Sequence, residues 1–259
     1  MAEGSVLKDE PDYTSETDDE DDDGSECTFD ASVEDMSTFD TFLQMYKPSV
    51  VKRSDGIWWI GVKGPKFDDE YIEPARPELL EDWEVTQKTC QKITPNTIFE
   101  MAKKRNCLCG KWLFHKETGV KIDLAWAAIA RAVALGQCGI SAKVSTIDDT
   151  ERIYMGKNVV CVYNADFTDL ESVEKLDNDI RKAGIKCSLS YKPDVYTYLD
   201  IYRNNEWAIK PTIYTSQFDL VSGKSKIVAT FGKKVQITPN IGQSNYVNQN
   251  PQDIHEEEF

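Results

Sequence analysis

The chain has 259 residues, 40% of them hydrophobic and 10% aromatic, enough for a sizeable core in one large domain or two small ones. Its formal charge of −15 is concentrated at the two ends: residues 1–26 carry twelve acids and one base, residues 253–259 carry four acids, and the stretch between holds 29 of each sign. The acidity therefore argues for solubility without excluding an anionic ligand, and with no run of ~18 apolar residues and no charged-then-apolar start the chain is expected to be soluble and intracellular.

The opening stretch is polar and self-repelling, so residues 1–30 are expected to be an acidic disordered tail. Within SETDDEDDDGSE (15–26), Ser15 and Thr17 each have an acid three residues downstream, as acidophilic kinases favour, although a solvated tail is the ordinary reading of such a run. Residues 31–240 are assigned to a single domain. Residues 241–259, which include SNYVNQNPQDIHEEEF, form a second loose tail.

In SVEDMSTFDTFLQMY (32–46), Met36, Phe39, Phe42, Leu43 and Tyr46 recur at helical spacing, with Ser32 as N-cap. GIWWIGV (56–62) is strand-like, Pro65, Pro74 and Pro77 mark an irregular excursion, and 78–105 carries no decisive pattern. CLCGKWLFHK (107–116) reads as a strand. A helix follows with Asp123 as N-cap, Trp126, Ile129, Ala130 and Val133 on one face, and Gly136 at its end. SAKVSTI (141–147) and NVVCVYN (158–164) are strands. Thr168, Asp169, Leu170 and Glu171 make a capping box for a helix whose Leu170, Val173, Leu176, Ile180 and Ala183 face the core. In IKCSLSY (185–191) Ile185, Cys187, Leu189 and Tyr191 alternate with polar residues, the mark of a half-buried strand. Segments around 209–214 and 226–231 complete the sheet, with SGK as the turn between them. This order predicts an α+β layer: a mainly antiparallel sheet with helices packed on one face and the other face partly open.

Catalytic and metal signatures are weak. His255 falls in the tail, which leaves His115 alone, and Cys107 and Cys109 have no second pair at zinc spacing. SGKS (222–225) lacks the earlier glycine of a phosphate loop, since that position is Phe218. The pairs Asp68–Asp69 and Asp148–Asp149 lie in loops. Seven cysteines without framework spacing suit reduced thiols in the cytoplasm or nucleus. No cofactor, no metal and no enzymatic activity are expected.

Aromatic residues interleaved with bases carry the stronger signal. YKPDVYTYLDIYRNNEW (191–207) holds four tyrosines, a tryptophan, a lysine and an arginine, a composition that can stack bases and neutralise phosphates. For any one of these rings, core packing is the commoner role. Taken with their neighbouring bases, Trp59, Lys192, Tyr196, Tyr198, Arg203, Trp207 and Lys210 are the expected contacts to RNA or a nucleotide-like anion. The alternatives are a protein-interaction adaptor working through the helical face or the acidic tail, and an enzyme on an unexpected scaffold.

Three runs, GKWLFHKETGVKIDLAWAAIARAVALG, VVCVYNADFTDLESV and YKPDVYTYLDIYRNNEWAIKPTIYTS, resemble the basophilic-leukaemia-expressed protein family over roughly residues 40–215. The resemblance implies a fold like the cap-binding translation initiation factor 4E, a curved antiparallel sheet backed by helices. That factor clamps methylated guanine between two tryptophans beside a glutamate. By the resemblance, the second clamp tryptophan and its glutamate fall on Met101 and Ala102, and the arginine for the cap phosphates falls near Ser145, with Lys157 close but out of register. The departures speak against cap binding in the known manner.

Overall fold

The computed structural model describes residues 25–149, 156–230 and 236–237. Among these residues nine strands form one sheet: β1 (Ser25–Asp30), β2 (Ile57–Lys63), β3 (Gly110–Glu117), β4 (Ser141–Ser145), β5 (Lys157–Asn164), β6 (Leu189–Pro193), β7 (Tyr214–Asp219), β8 (Lys224–Ala229) and β9 (Gln236–Ile237). They lie in the order β1-β2-β4-β5-β3-β6-β7-β8-β9. β1 runs parallel to β2, and the other neighbours pair antiparallel. The helices are α1 (Phe39–Met45), α2 (Phe67–Glu70), α3 (Arg76–Thr89), α4 (Pro95–Lys104), α5 (Val120–Ala134), α6 (Leu170–Lys182) and α7 (Asp194–Tyr198). The fold class is α+β with a curved, mainly antiparallel sheet. Among the described residues, no helix is long and apolar enough to cross a membrane.

Alternation sets the two faces. Ile60, Val62, Ala142, Val144, Val160, Val162, Trp112, Phe114 and Tyr191 point to one side, where Trp126, Ile129 and Val133 of α5 and Val173, Leu176 and Ile180 of α6 complete the core. Trp112 is fully buried there, and its Nε1 donates to the Val173 carbonyl oxygen at 3.0 Å, locking β3 to α6.

Several boundaries differ from the sequence reading. β1 occupies residues assigned to the acidic tail, because Phe29 is only 1% exposed and packs edge-on against Phe39 at 4.8 Å. Burying such a ring contributes about 1.5–3 kcal/mol, enough to hold a polar strand at the sheet edge. The first helix is shorter than 32–46 because Asp35, not Ser32, accepts from the Ser37 N–H and opens a 3-10 turn before α1. The unassigned 78–105 is α3 and α4; α4 is opened by Thr94, whose hydroxyl accepts from Thr97 N, with Pro95 in its first turn. Asp123 lies inside α5, not at its cap, and accepts from Ser49 N and Oγ. The cap of α6 is Asp169, one residue later than the box required, and it accepts from Ser172 N. The strand expected at 185–191 is Leu189–Pro193, and the one expected around 209–214 begins at Tyr214. Residue 231, the end of the last expected strand, and the proposed tail 241–259 lie outside the described residues.

Candidate functional site

Registers across the sheet identify what shares the face away from α5 and α6. Tyr163, Lys111 and Lys192 form one cross-strand row. Gly61, Lys143, Cys161, Leu113, Ser190, Thr215 and Val228 follow in the next, and Trp59, Ser145, Val159 and His115 in the third. Opposite neighbours stand about 4.5–5.5 Å apart at Cβ, so lysines and rings from different strands meet. The Lys143 ammonium lies 4.0 Å from the centroid of Trp59, Lys111 lies 5.4 Å from Tyr163, and Lys192 lies 3.6 Å from Tyr202. Each is a cation over an aromatic quadrupole.

Lys111 is also held by charge. Its ammonium is 3.0 Å from Asp194 Oδ1 at the start of α7, and 3.4 Å from Thr197 Oγ1. Around this pair Tyr71, Cys109 and Tyr163 are partly buried. Burial, then the Asp194 carboxylate, raises the Cys109 thiol well above its ordinary value, and burial does the same to the Tyr163 phenol. Tyr71 is pushed up to about 12 by burial, with Glu73 adding to the effect. A neutral, high-pKa thiol is a poor nucleophile at pH 7, so the cluster joins α7 to β3 and does not activate Cys109.

The expected contact residues do not all reach one surface. Trp59 is on the open face but is nearly covered, with Lys143 over its ring; Trp58 points the other way, under the Arg53 guanidinium at 4.8 Å. Tyr196 is fully buried and stacks with Phe99 at 5.9 Å, so its ring is no platform for a base. Tyr196 and Tyr198 do not share a side as extended residues would, because Asp194–Tyr198 is helical. Tyr198 is half-buried under Arg76, whose guanidinium carbon is 4.3 Å from the ring centroid and whose Nη2 donates to its hydroxyl at 3.2 Å. Trp207 is half-buried against Trp83, edge-on at 4.8 Å. Lys192 is buried beneath Tyr202, and only Arg203 and Lys210 are exposed.

Those last two lie on the lining of a cleft of about 850 Å³ between the loop after α7 and strands β6, β7 and β8. Ser190 and Thr215 come from the sheet, and Asn204 and Asn205 from the loop. Asn205 closes that loop on itself: Nδ2 donates to the carbonyls of Tyr202 at 2.7 Å and Ile209 at 2.6 Å, and Oδ1 accepts from Ile209 N at 3.1 Å. Lys143, Lys111, Tyr163, Tyr202 and the cleft hydroxyls were absent from the sequence-derived set. Lys143 carried a local signal, lying between buried Ala142 and Val144 in SAKVS, but its pairing beside Trp59 is decided only by register.

The positions on which the resemblance to factor 4E would place a cap clamp hold other chemistry. Met101 and Ala102 are buried on the inner side of α4. Ser145 accepts from Val159 N through Oγ at 3.0 Å, and its carbonyl accepts from Asn158 Nδ2 at 2.8 Å. Among the described residues no cluster of His, Cys, Asp or Glu could hold a metal ion. With known proteins, residues 82–200 match the family model described as basophilic leukemia-expressed protein Bles03. The match runs from α3 to the end of α7 and includes the centre of the sheet.

Proposed function

As residues 82–200 belong to the basophilic leukemia-expressed protein family, we propose that the chain is a non-enzymatic binding module that takes RNA or a nucleotide-like anion on its open sheet face. The observation that carries this reading is the succession of cations and rings, Lys143 on Trp59 and Lys192 on Tyr202, leading to the exposed Arg203 and Lys210, while Lys111, paired with Asp194, holds α7 beside them. Positive charge along a groove supplies sequence-independent affinity for phosphates, and nearby aromatic edges admit bases. The kinship with factor 4E is part of the same proposal, and so is a cytoplasmic or nuclear location, supported by seven cysteines that form no disulfide with one another.

A second reading as a protein-interaction adaptor has its own support. Val120 and Leu124, four apart on α5, are exposed, and the Ser49–Asp123 hydrogen bonds bring the exposed Val50 to the same helix end. Ultraviolet crosslinking of the intact protein to RNA, with sequencing of the RNA and mapping of the peptides, decides between them. Crosslinks on β4, β6 or residues 199–210 are the expected result. No RNA crosslink, together with a protein partner crosslinked to α5, overturns the RNA reading in favour of the adaptor.

A further inference from the structure

The cleft has a composition unlike that of the remaining open face. Among the described residues, its lining contains no Asp, no Glu and no aromatic ring. The cations come from Arg203 and Lys210, both exposed, while Ser190, Thr212 and Thr215 contribute hydroxyls and Thr230 Oγ1 donates to the Thr212 carbonyl. A nucleobase seeks a flat apolar platform, and Tyr202, which precedes Arg203 in the loop, already has a face under the Lys192 ammonium. A phosphate seeks what is present: a planar guanidinium fork, an ammonium and neutral hydroxyl donors, with no carboxylate to repel it.

The shape is set in advance. Asn205 fixes the loop through three hydrogen bonds, and the chain passes through the left-handed region at Asn204 (φ 67°) and at Ala208 (φ 54°). Alanine adopts that region only at a cost, so the surrounding contacts hold the loop in its bend. A preformed wall loses little freedom when a ligand arrives. The volume of about 850 Å³ falls within the ~300–1,000 Å³ of small-molecule sites. The cleft also lies at β6–β8, away from β4, where Ser145 occupies the cap-phosphate position of the factor-4E resemblance.

We propose that this cleft is a phosphate site which holds the phosphate groups of a nucleotide or RNA strand and leaves the base outside, so that binding follows phosphate and not base identity. The proposal rests on the RNA-or-nucleotide reading and names its ligand chemistry. It is tested on the full chain at low salt by calorimetric titration with inorganic tripolyphosphate, the four ribonucleoside triphosphates and the matching nucleosides, and by anisotropy of a labelled oligouridylate. Tripolyphosphate and all four triphosphates should bind within about threefold of one another, and nucleosides should not bind. The Arg203→Ala, Lys210→Ala double variant should lose at least about tenfold in triphosphate affinity, since one charge-assisted hydrogen bond is worth ~1.5–3 kcal/mol, with an unchanged melting temperature. Displacement of oligouridylate by tripolyphosphate assigns the cleft to the phosphates of a strand. Retention of oligouridylate while triphosphates bind assigns it to free nucleotides. A base preference above about tenfold, or wild-type triphosphate affinity in the double variant, overturns the proposal. Oligouridylate binding without any triphosphate binding sinks the cleft alone, whereas absence of both sinks the wider reading as well.

Discussion

Replacing Tyr191 by alanine removes the residue that anchors β6, the strand presenting Lys192 to the open face. Tyr191 is fully buried; its ring meets Trp112 edge-on at 5.1 Å and Tyr214 at 6.0 Å, and its hydroxyl donates to Asn164 Oδ1. A Cβ at Gly110 would stand 2.3 Å from that hydroxyl, so β3 makes room for the ring by having no side chain there. Truncating a buried aromatic to alanine costs about 3–5 kcal/mol through lost transfer energy and the cavity left behind. The edge-on contact accounts for about 0.5–1.5 kcal/mol of this. Tyr191→Phe keeps the ring and leaves the Asn164 oxygen without its donor, a loss of about 1–3 kcal/mol. Urea unfolding followed by tryptophan fluorescence should therefore order the proteins wild type, Phe, Ala, with similar denaturant slopes. A loss below about 1.5 kcal/mol for Tyr191→Ala would refute the reasoning, because the site would then have collapsed around the gap or never held the ring.

Asp177 is fully buried beside Arg181 at 3.3 Å, and burial lowers the Arg181 pKa, so Asp177→Ala strands a guanidinium that also binds Ser216 Oγ at 2.8 Å and Ser225 Oγ at 3.0 Å. The expected loss is about 3–5 kcal/mol by urea unfolding, and a loss under about 1 kcal/mol would show that the serines and carbonyls suffice. Burial pushes the Cys107 thiol up to about 11 from 9.0, so the folded state keeps a proton that the unfolded chain releases. The stability this gives is complete below pH ~9 and is lost as pH rises through ~11; Cys107→Ala should show a smaller drop in urea midpoint between pH ~8.5 and ~10.5, and an unchanged drop would contradict it. With Met101 and Ala102 turned into the core, methylated cap analogue and GTP should differ by less than about fivefold in a fluorescence titration, the value of one exposed cation–π contact. Selective micromolar binding of the methylated form would reveal a clamp built from other rings. Cys90, the exposed cysteine of the seven, should react first with a thiol reagent, ahead of buried Cys107, Cys138 and Cys161, as mass mapping would record.

Local pattern alone was enough for the centre of the molecule. NVVCVYN is an unbroken β-branched and apolar run between two asparagines, and the Val173, Leu176 and Ile180 spacing marks the inner side of α6, because these signals belong to single elements and need no partner. The family resemblance lay in the same region. The α3–α4 segment stayed unassigned because α3 buries only Leu79 and Trp83, too few residues to set a period. Strand β1 was hidden in acidic sequence because one ring, Phe29, binds it to a core formed by distant residues. For the site the division is sharper. Composition could place bases and rings in 191–210, but a five-residue helix turned Tyr196 inward and packed Trp207 on Trp83. Register, in contrast, joined Lys143 to Trp59 across 84 positions of chain. Which side of a strand a residue faces follows from alternation within the strand. What it meets there depends on pairings that only the folded sheet decides, because each is a long-range contact whose energy comes from the shared core.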